Sequence, residues 1–567
     1  MSNKEKSFLL PIEFLKNKSR VLENLKTDLE LEKSVDTSNN PIYNYIFDPQ
    51  TDLGKKCISS WSKYYSTDKT FLKESQNLYK NIDKIPFEKT IIENMVKSWR
   101  QIRQQNNFVE KYQYIEWEKL KWLNKSTPFL TVLSFYNISA PVLQLIAPFF
   151  ILLVPFAVLK VMKLPISWNS YYKILMENIK HHAIGKLVLS FNSVSLGQKI
   201  YILFCLGMYL YNIYQNIISC YRFYQNSYYI CNQFETINLY LDYTIEKIKY
   251  LKSITTNYSS YKPFNKYLTE YQLKLQDFHN IIRSLPLNNS KINKIVYVGK
   301  LMKYFFILYD SDELENMINF TFGFHGYIDT ILGINKNITH KKINKCKFSK
   351  KLCFKLTNMY HPSIENPIKN TIDINKNIII TGPNAAGKTT SIKATIINLL
   401  LTQQIGFGFF DKCTTGTFDY IHCYLNIPDT CSRDSLFQSE ARRCKNILTT
   451  IEKNHTKRHF CIFDELYSGT NPYEAISSAY SYLDHISQSK NVRFLLTTHY
   501  IKLCELLKKN KKIRNKSMKT IMKKDNPIYT YKIVNGVSTI KGGVSVLKNL
   551  NYPKKIVDLT ITILDKL

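Results

Sequence analysis

The sequence predicts a mixed fold: a mostly α-helical N-terminal two thirds, with one or two membrane segments, precedes a C-terminal α/β domain of the P-loop type. Three observations carry this prediction. Polar stretches with helical periodicity, such as 87–114, occupy the first part of the chain. A run of 31 residues without a charged side chain follows at 129–159. From about Cys346, apolar runs typical of buried strands alternate with helical stretches, as in a parallel α/β sheet.

Length and composition bound the class of protein. With 567 residues, of which 44% are hydrophobic and 22% charged, the chain is a packed protein of several domains, which excludes wholesale disorder, collagen and a disulfide-stapled miniprotein. The 12 cysteines include no Cys-x-x-Cys pair, which favours a reduced intracellular protein. Lys and Arg total 78 against 44 Asp and Glu, a net charge of +34. Such a surface attracts nucleic acid or an anionic membrane, although the coding bias of an AT-rich genome is an alternative origin.

The changes in composition divide the chain into four parts. These are a helical region 1–126, an apolar and membrane-associated region 127–221, a second helical region 222–345, and an α/β domain 346–567.

Two charge-free runs in the second part, 129–159 and 200–221, are long enough to span a bilayer, which takes about 20 apolar residues in a helix. The alternative is that both runs are buried core helices. This alternative is stronger for the second run, which is less apolar and contains Asn212, Gln215 and Asn216. The connection 160–199 is basic, and basic loops stay on the cytosolic side. A simple two-span hairpin with a cytosolic ATPase conflicts with that rule, so the sequence leaves the topology open.

A phosphate-binding loop follows a strand predicted at 377–381 and precedes a helix predicted at 390–401. Its pattern is Gly-x-x-x-x-Gly-Lys-Thr, in which glycines let backbone amides surround phosphate oxygens and the helix N-terminus favours the anion. We expect Lys388 to reach the β- and γ-phosphates of ATP, and the Thr389 hydroxyl to ligate Mg²⁺. The predicted cofactor-binding residues of this loop are Gly382, Pro383, Asn384, Ala385, Ala386, Gly387, Lys388, Thr389 and Thr390.

Two later strands end in residues that suit ATP hydrolysis. The run 459–463 leads into Asp464 and Glu465, where Asp464 is expected to hold Mg²⁺ and Glu465 to polarise water as a general base. The run 494–497 leads to His499, which we expect to sense the γ-phosphate or orient the water. The predicted catalytic residues are therefore Lys388, Glu465 and His499, and the predicted metal ligands are Thr389 and Asp464.

This series of motifs resembles the ATPase domain of the MutS family of DNA mismatch repair ATPases. The matching motifs are His361-Pro362, Thr-Gly-Pro-Asn at 381–384, Gln-Ile-Gly at 404–406, a signature ending in Glu at 435–440, Asp-Glu-x-x-x-Gly-Thr at 464–470, Thr-His-Tyr at 498–500 and closing segments at 531–538 and 550–553. The resemblance covers 346–567, which it implies to be an ATPase domain with a C-terminal dimerisation segment. More loosely it covers the helices of 222–345, which it implies to be a core or lever-like region. It looks closest to divergent MutS-like proteins of large DNA viruses.

The resemblance implies an ABC/MutS-type ATPase that uses ATP and Mg²⁺ as a homodimer, or as a heterodimer with another MutS-like subunit, and that closes on DNA. It also implies nucleotide contacts from His361, Gln404 and Ser435, the last reaching the γ-phosphate held by the other subunit. The chain departs from the family at Arg433, close to where a glycine is usual. We expect no aromatic-x-Glu mismatch reader in 1–126, since Phe87-Glu88 and Phe234-Glu235 lack the intervening residue.

Two functions stay open at this point. The first is an ATPase that couples nucleotide to mismatched or branched DNA, as in mismatch repair or recombination. The second is a membrane-anchored mechanical ATPase or scaffold without mismatch recognition. A basic tract at 508–519 suits DNA phosphates but is also typical of a solvated loop. We expect an intracellular protein that is membrane-associated through 129–159, and in one reading also 200–221, with its ATPase domain facing the cytoplasm.

Overall fold

The structure, a computed structural model, describes residues 8–36, 38–82, 86–163, 167–181, 195–285, 291–425, 435–523, 526–540, 544, 547–548 and 550–566. The α-helices in these ranges are α1 (Glu23–Asp28), α2 (Ile42–Phe47), α3 (Asp52–Trp61), α4 (Lys69–Lys80), α5 (Lys89–Arg103), α6 (Phe108–Lys111), α7 (Thr127–Val161), α8 (Trp168–His181), α9 (Leu196–Thr255), α10 (Lys262–Arg283), α11 (Lys291–Asp310), α12 (Asp312–Thr339), α13 (Lys388–Gln404), α14 (Leu436–Lys453), α15 (Pro472–Ser487), α16 (Ile501–Leu507) and α17 (Lys554–Lys566).

The strands are β1 (Lys18–Arg20), β2 (Tyr64–Ser66), β3 (Asn344–Phe348), β4 (Phe354–Met359), β5 (Asn370–Asp373), β6 (Asn377–Thr381), β7 (Phe407–Gly408), β8 (Lys412–Thr415), β9 (Tyr420–Tyr424), β10 (His459–Asp464), β11 (Val492–Thr498), β12 (Ile513–Lys523) and β13 (Asn526–Asn535). The predicted helical character of the first two thirds and the strand–helix alternation of the last third are both confirmed.

The chain forms two compact units that follow a different partition from the four-part division of the sequence. One unit comprises Met1–Phe87, Lys247–Tyr271 and Asn319–Leu567, and the other comprises Glu88–Glu246 and Gln272–Ile318. The four-part division stays a prediction about where the functional parts lie.

In the unit of 88–246 and 272–318, an aromatic cluster joins the short helix α6 to α11. The ring of Phe108 stacks on Tyr309 with 3.9 Å between centroids and lies 5.3 Å from Phe305. Helix α11 also approaches α7 closely, because Gly299 lies where any Cβ atom would be within 2.5 Å of the Thr131 backbone nitrogen. The first turns of α7 are therefore packed, and Leu130 and Ser134 are buried.

The apolar runs of the sequence fall in the two longest helices of this unit. Residues 129–159 lie in α7 and residues 200–221 lie in α9. Among the described residues, length and composition single out one helical segment that could cross a membrane, Thr127–Ala147, with 11% of its apolar window buried. A soluble core helix also passes this test, so the membrane segments stay a prediction.

The other unit is built on a six-stranded sheet in the order β13-β12-β6-β11-β10-β9, in which only β13 runs antiparallel to its neighbour. Strand β6 is buried throughout and β10 is buried up to its last residue, as expected for parallel strands covered on both faces. Helices α14 and α15 cover one face, with Ile447 and Leu483 packed against Phe463 and Leu496. Because β6, β11 and β10 are parallel neighbours, their carboxyl ends meet at one edge.

A second sheet in the same unit has the order β5-β4-β8-β3-β7. The N-terminal segment packs with this α/β region through buried glutamine amides. Gln76 Nε2 donates to the carbonyl of Cys346 at 2.9 Å, and Gln403 Nε2 donates to the carbonyls of Phe418 at 2.8 Å and Ser66 at 3.3 Å. These amides join backbone groups from segments far apart in sequence, so β2 and α4 are part of the framework that holds α13 and its loop.

Candidate nucleotide site

The loop between β6 and α13 has the backbone of a phosphate-binding turn. Ala385 and Gly387 adopt positive φ angles of 62° and 89°. Glycine accepts this left-handed conformation without strain, whereas a Cβ atom at Gly387 would also lie 3.1 Å from the Tyr531 ring. Helix α13 begins directly after it at Lys388, and the first N–H groups of a helix lack partners within the helix. The predicted strand, loop and helix are thus found in the expected order.

Lys388 points back into the loop. Its Nζ donates to the carbonyls of Gly382 at 3.0 Å and Pro383 at 3.2 Å, and it lies 3.3 and 3.4 Å from the two ring nitrogens of His499. Glu465 Oε1 is 4.0 Å away. Only 5% of Lys388 is exposed, and this burial lowers the pKa of its amine against the opposing effect of Glu465 and Asp464.

Asp464 and Thr389 form the second part of the site. Thr389 Oγ1 donates to Asp464 Oδ2 at 2.8 Å, and the hydroxyl of Thr497 donates to Asp464 Oδ1. The hydroxyl and carboxylate that were predicted as metal ligands therefore lie side by side, one from each of two neighbouring segments. Hard oxygen ligands of this kind suit Mg²⁺, which takes one or two protein oxygens and completes its shell with water and phosphate oxygens. The donor set therefore fits Mg²⁺.

Glu465 is oriented by His499. His499 Nε2 lies 2.6 Å from Glu465 Oε1, and this hydrogen bond is the main reason that the pKa of Glu465 is lowered. The backbone of Glu465 has a φ of 51°, an uncommon conformation for a non-glycine residue. This backbone turn lets the two consecutive carboxylates contact different groups: Asp464 contacts two threonines and Glu465 contacts the histidine. Uncommon backbone conformations such as that of Glu465 are concentrated at functional sites.

A cavity of about 520 Å³ opens beside the loop. Asn384, Ala385, Gly387, Lys388, Thr389, Thr390, Glu465 and His361 line it, together with residues that the sequence did not single out as ligands, namely Met359, Tyr360, Ile364, Asn366, Pro367, Ile368, Asn370, Ser391, Ala394 and Tyr531. The apolar members offer a wall for a flat ring, and the loop offers phosphate contacts. No chemical motif marks Ile364 or Ile368, so only the fold reveals them.

His361 sits at this cavity as a neutral ring. Ser363 Oγ lies 2.8 Å from His361 Nδ1, and burial together with the positive charge of Lys393 lowers the pKa of His361 to about 4. A neutral imidazole can stack or hydrogen-bond without adding charge. The predicted position of His361 beside the loop is therefore found.

Glu440 has a role that the motif comparison did not assign. Its carboxylate is 2% exposed and accepts hydrogen bonds from the backbone N–H groups of Ser468 and Gly469, both at 3.1 Å, and from the Ser468 hydroxyl at 2.9 Å. A Cβ atom at Gly469 would come within 2.8 Å of Leu436 and of the Phe437 nitrogen. The signature helix α14 and the loop after Glu465 are thereby fixed to each other.

Gln404 and Ser435, which were predicted to contact the nucleotide, lie away from the phosphate loop's cavity. Gln404 is wholly buried at the far end of α13, where its Nε2 donates to Tyr43 Oη and to the Trp61 carbonyl, both at 2.9 Å. Because 16 residues of helix separate it from Lys388, about 24 Å at 1.5 Å per residue, the prediction that Gln404 binds the cofactor is corrected to a structural role. Ser435 caps α14, with its hydroxyl accepting from the Gln438 N–H at 3.3 Å, and does not line the cavity. Arg433 lies outside the described residues.

The expectation about aromatic-x-Glu triplets needs a correction. Two such triplets occur in 1–126, beginning at Phe108 and Tyr114. Neither ring is free to contact DNA, since Phe108 is 1% exposed in the aromatic cluster with Tyr309, and Tyr114 is 5% exposed with its hydroxyl donating to the Met302 carbonyl at 2.7 Å. An intercalating wedge must be exposed, so both triplets belong to the core.

Comparison with known proteins finds similarity over the C-terminal part of the chain. Residues 378–567 match the family model described as MutS domain V. The chain is 33% identical over 193 residues to a DNA mismatch repair protein MutS of Phocaeicola vulgatus, which covers 34% of this chain and 22% of the relative. It is 28% identical over 247 residues to the MutS protein of Persephonella marina, covering 42% of this chain and 28% of the relative.

A third relative, the DNA mismatch repair protein MutS of Clostridium perfringens, is 31% identical over 226 residues, covering 38% of this chain and 24% of the relative. The chain thus matches about a quarter of the length of these curated relatives. The matched part contains the loop, β10, β11 and the closing segments. Residues 378–567 of this chain therefore form a domain of the MutS domain V family.

Proposed function

We propose that this chain is a MutS-like ATPase, which binds and hydrolyses ATP in a composite site between two subunits and couples this cycle to binding mismatched or branched DNA. The observation that carries the proposal is the convergence of Lys388, Glu465 and His499 beside the Thr389–Asp464 pair. A lysine for phosphate, oxygen ligands for a metal and a carboxylate held by a histidine are the components of phosphoryl transfer to water.

Lys388 is the phosphate-binding residue of the proposed site. Its ammonium donates hydrogen bonds to two loop carbonyls and faces Glu465 and His499. Phosphate oxygens of ATP are stronger acceptors than carbonyls because they carry charge. We therefore propose that Lys388 donates to phosphate oxygens in place of the loop carbonyls when ATP binds. Thr389 and Asp464 would hold Mg²⁺, which would supply positive charge for the phosphates.

Glu465 is the proposed general base, and His499 is its positioning partner. The hydrogen bond from His499 keeps the carboxylate ionised near neutral pH, as the lowered pKa of Glu465 indicates. An ionised carboxylate can accept a proton from water that attacks the γ-phosphate. The fixed contact at 2.6 Å between Glu465 Oε1 and His499 Nε2 sets the direction of that carboxylate.

The dimeric part of the proposal rests on Ser435. This residue lies at the exposed N-terminus of the 18-residue helix α14, away from the cavity of its own chain. A helix N-terminus attracts phosphate through its free N–H groups. We therefore place Ser435 against the γ-phosphate held by a second subunit, either another copy of this chain or another MutS-like subunit.

The DNA part rests on the net charge of +34 and on the names of the relatives, which are DNA mismatch repair proteins. The basic tract is exposed at the end of α16 and the start of β12, except for Lys516, whose Nζ bonds Asn535 Oδ1 at 3.2 Å. Clustered exposed cations are sufficient for phosphate contacts.

The second candidate function is the membrane-anchored mechanical ATPase or scaffold. The exposed apolar segment Thr127–Ala147 favours it. Both candidate functions use the same nucleotide site. In the first, ATP hydrolysis is coupled to DNA binding, and in the second it is coupled to mechanical work or scaffolding at a membrane. In either case we propose an intracellular protein whose ATPase domain faces the cytoplasm.

Replacing Lys388 by alanine should abolish turnover and weaken ATP binding. Loss of a charged hydrogen bond costs about 1.5–3 kcal/mol, which corresponds to roughly tenfold to hundredfold weaker binding. Equilibrium binding of a fluorescent ATP analogue, with and without Mg²⁺, measures the change. The control is Lys355→Ala on the exposed side of β4, which should bind like the wild type. Equal affinity of Lys388→Ala and wild type would remove Lys388 from the site.

Glu465→Ala and Glu465→Gln should leave ATP binding intact and slow hydrolysis by about 10²- to 10⁴-fold, the usual contribution of a positioned base. Single-turnover hydrolysis separates this effect from binding. Glu505→Gln is the matched control, because the exposed Glu505 side chain on α16 carries the same charge outside the site. Hydrolysis at the wild-type rate by Glu465→Gln contradicts the role of general base.

A triple Lys508→Glu, Lys509→Glu, Lys511→Glu variant should bind duplex DNA more weakly and with a flatter salt dependence. Each lost phosphate contact lowers the slope of log affinity against log salt by about 0.9. The control carries the same charge change at three exposed lysines elsewhere, Lys355, Lys412 and Lys445. If both variants lose the same affinity, total charge rather than the tract binds DNA, and the tract is a solvated loop.

A further inference from the structure

The two long helices of the unit 88–246 and 272–318 carry large apolar side chains on their outer surface. The exposed residues on α7 are Val132, Phe135, Tyr136, Val142, Leu143, Leu145, Ile146, Phe150, Val154, Val158 and Val161. Those on the first third of α9 are Leu196, Ile200, Tyr201, Leu203, Phe204, Met208, Leu210, Tyr211, Tyr214, Ile217 and Tyr221. Single exposed apolar residues are ordinary on soluble proteins, but a continuous surface of this extent marks an interaction site.

Polar side chains lie on the opposite side, between the two helices. Tyr209 Oη donates to the Gln144 carbonyl at 3.1 Å, and Asn216 Nδ2 donates to Gln144 Oε1. Cys220 Sγ donates to the Ile138 carbonyl at 3.5 Å. In a soluble helix pair, apolar side chains lie between the helices and polar ones face outward. Here polar side chains lie between the helices and apolar ones face outward, as in helices packed in lipid. Two uncharged amides, Asn212 and Gln215, are exposed exceptions on α9.

The same contacts set the register of the pair. Ile138 lies by Cys220, and Gln144 lies by Tyr209 and Asn216, so the helices run antiparallel. In this register the 22 charge-free residues 200–221 lie alongside the charge-free run 129–159. A helix of that length measures about 33 Å, and the hydrocarbon core of a bilayer is about 30 Å thick.

Charged side chains mark both ends of this uncharged section. Lys160, Lys163 and Lys199 stand at one end, and Arg222 stands at the other. Trp168, which is 70% exposed, stacks on Phe156 at 4.4 Å, about one helical turn inside the Lys160 end. Trp and Lys are enriched at the two interfaces of membrane helices, where they meet the lipid headgroups.

We propose that α7 and the first third of α9 form a helical hairpin that spans the hydrocarbon core of a phospholipid bilayer, with the Gln144–Asn216 contact inside the pair. Among the described residues, hydropathy singles out only the first of these segments, and the register adds the second. The match of the uncharged section to the bilayer thickness, with cations at both of its ends, favours lipid over a protein partner. This inference does not rest on the proposed nucleotide chemistry. With the ATPase domain on the cytoplasmic side, the hairpin places Lys160, Lys163 and Lys199 on the opposite side, contrary to the usual preference of basic loops for the cytosol.

The test is flotation of the full-length protein with vesicles of uncharged phosphatidylcholine. Such vesicles remove electrostatic attraction to the net positive surface. We expect the protein to float with the vesicles and to stay with them through washes in high salt and in alkaline carbonate. Protein that stays at the bottom of the gradient, or is released by either wash, overturns the proposal. Self-associated protein without lipid would assign the same face to a second copy of the chain, and it also counts against the bilayer.

A pair of variants separates insertion from folding. Val142→Asp with Leu145→Asp places charge on the outer face of α7, and the fraction resistant to washing should fall at least about tenfold, because charged side chains are costly in hydrocarbon. Tyr224→Asp with Tyr228→Asp is the control, since both are equally exposed on α9 beyond Arg222. The control should float like the wild type, and equal loss in both overturns the assignment. Circular dichroism in detergent checks that each variant is folded, and ATP turnover is recorded separately, so that an inactive nucleotide site leaves this result readable.

Discussion

A buried ammonium group is costly unless it has acceptors, and the candidate nucleotide site is arranged around that requirement at Lys388. The loop bends through Ala385 and Gly387, and the carbonyls of Gly382 and Pro383 accept hydrogen bonds from Nζ. Glu465 and His499 complete its surroundings from the ends of two neighbouring strands. The lysine proposed to bind phosphate is therefore held beside the two side chains proposed to act in hydrolysis.

The framework around the site explains motifs that are not themselves catalytic. The Glu440 carboxylate accepts hydrogen bonds from the backbone of Ser468 and Gly469 and thereby joins the signature helix α14 to the loop after Glu465. Gln404 anchors the far end of α13 to Tyr43 and Trp61 of the N-terminal segment. These motif residues therefore hold the elements of the site in place.

The sequence predicts the strands and helices around the candidate site well because their pattern is local. A phosphate loop needs glycines at fixed spacing, and a strand ending in Asp464 and Glu465 is readable as a pattern, so the elements and their order are found as predicted. Ile364, Ile368 and Tyr531 could not be predicted, because they reach the cavity through long-range packing. Gln404 shows the converse error: a motif residue was read as a ligand when its amide serves the fold. Phe108 shows that an aromatic-x-Glu triplet cannot be assigned to DNA contact from the sequence alone, because its ring is buried.

The most direct measurement is ATP turnover by full-length protein in detergent, with no DNA, homoduplex, mismatched duplex or branched DNA, and with Lys388→Ala as the blank. The account predicts turnover that depends on Lys388 and is stimulated by mismatched or branched DNA above the level with homoduplex. Lys388-dependent turnover that no DNA alters would contradict the coupling to DNA and favour the membrane-anchored mechanical ATPase. Turnover that survives in Lys388→Ala would contradict the site itself.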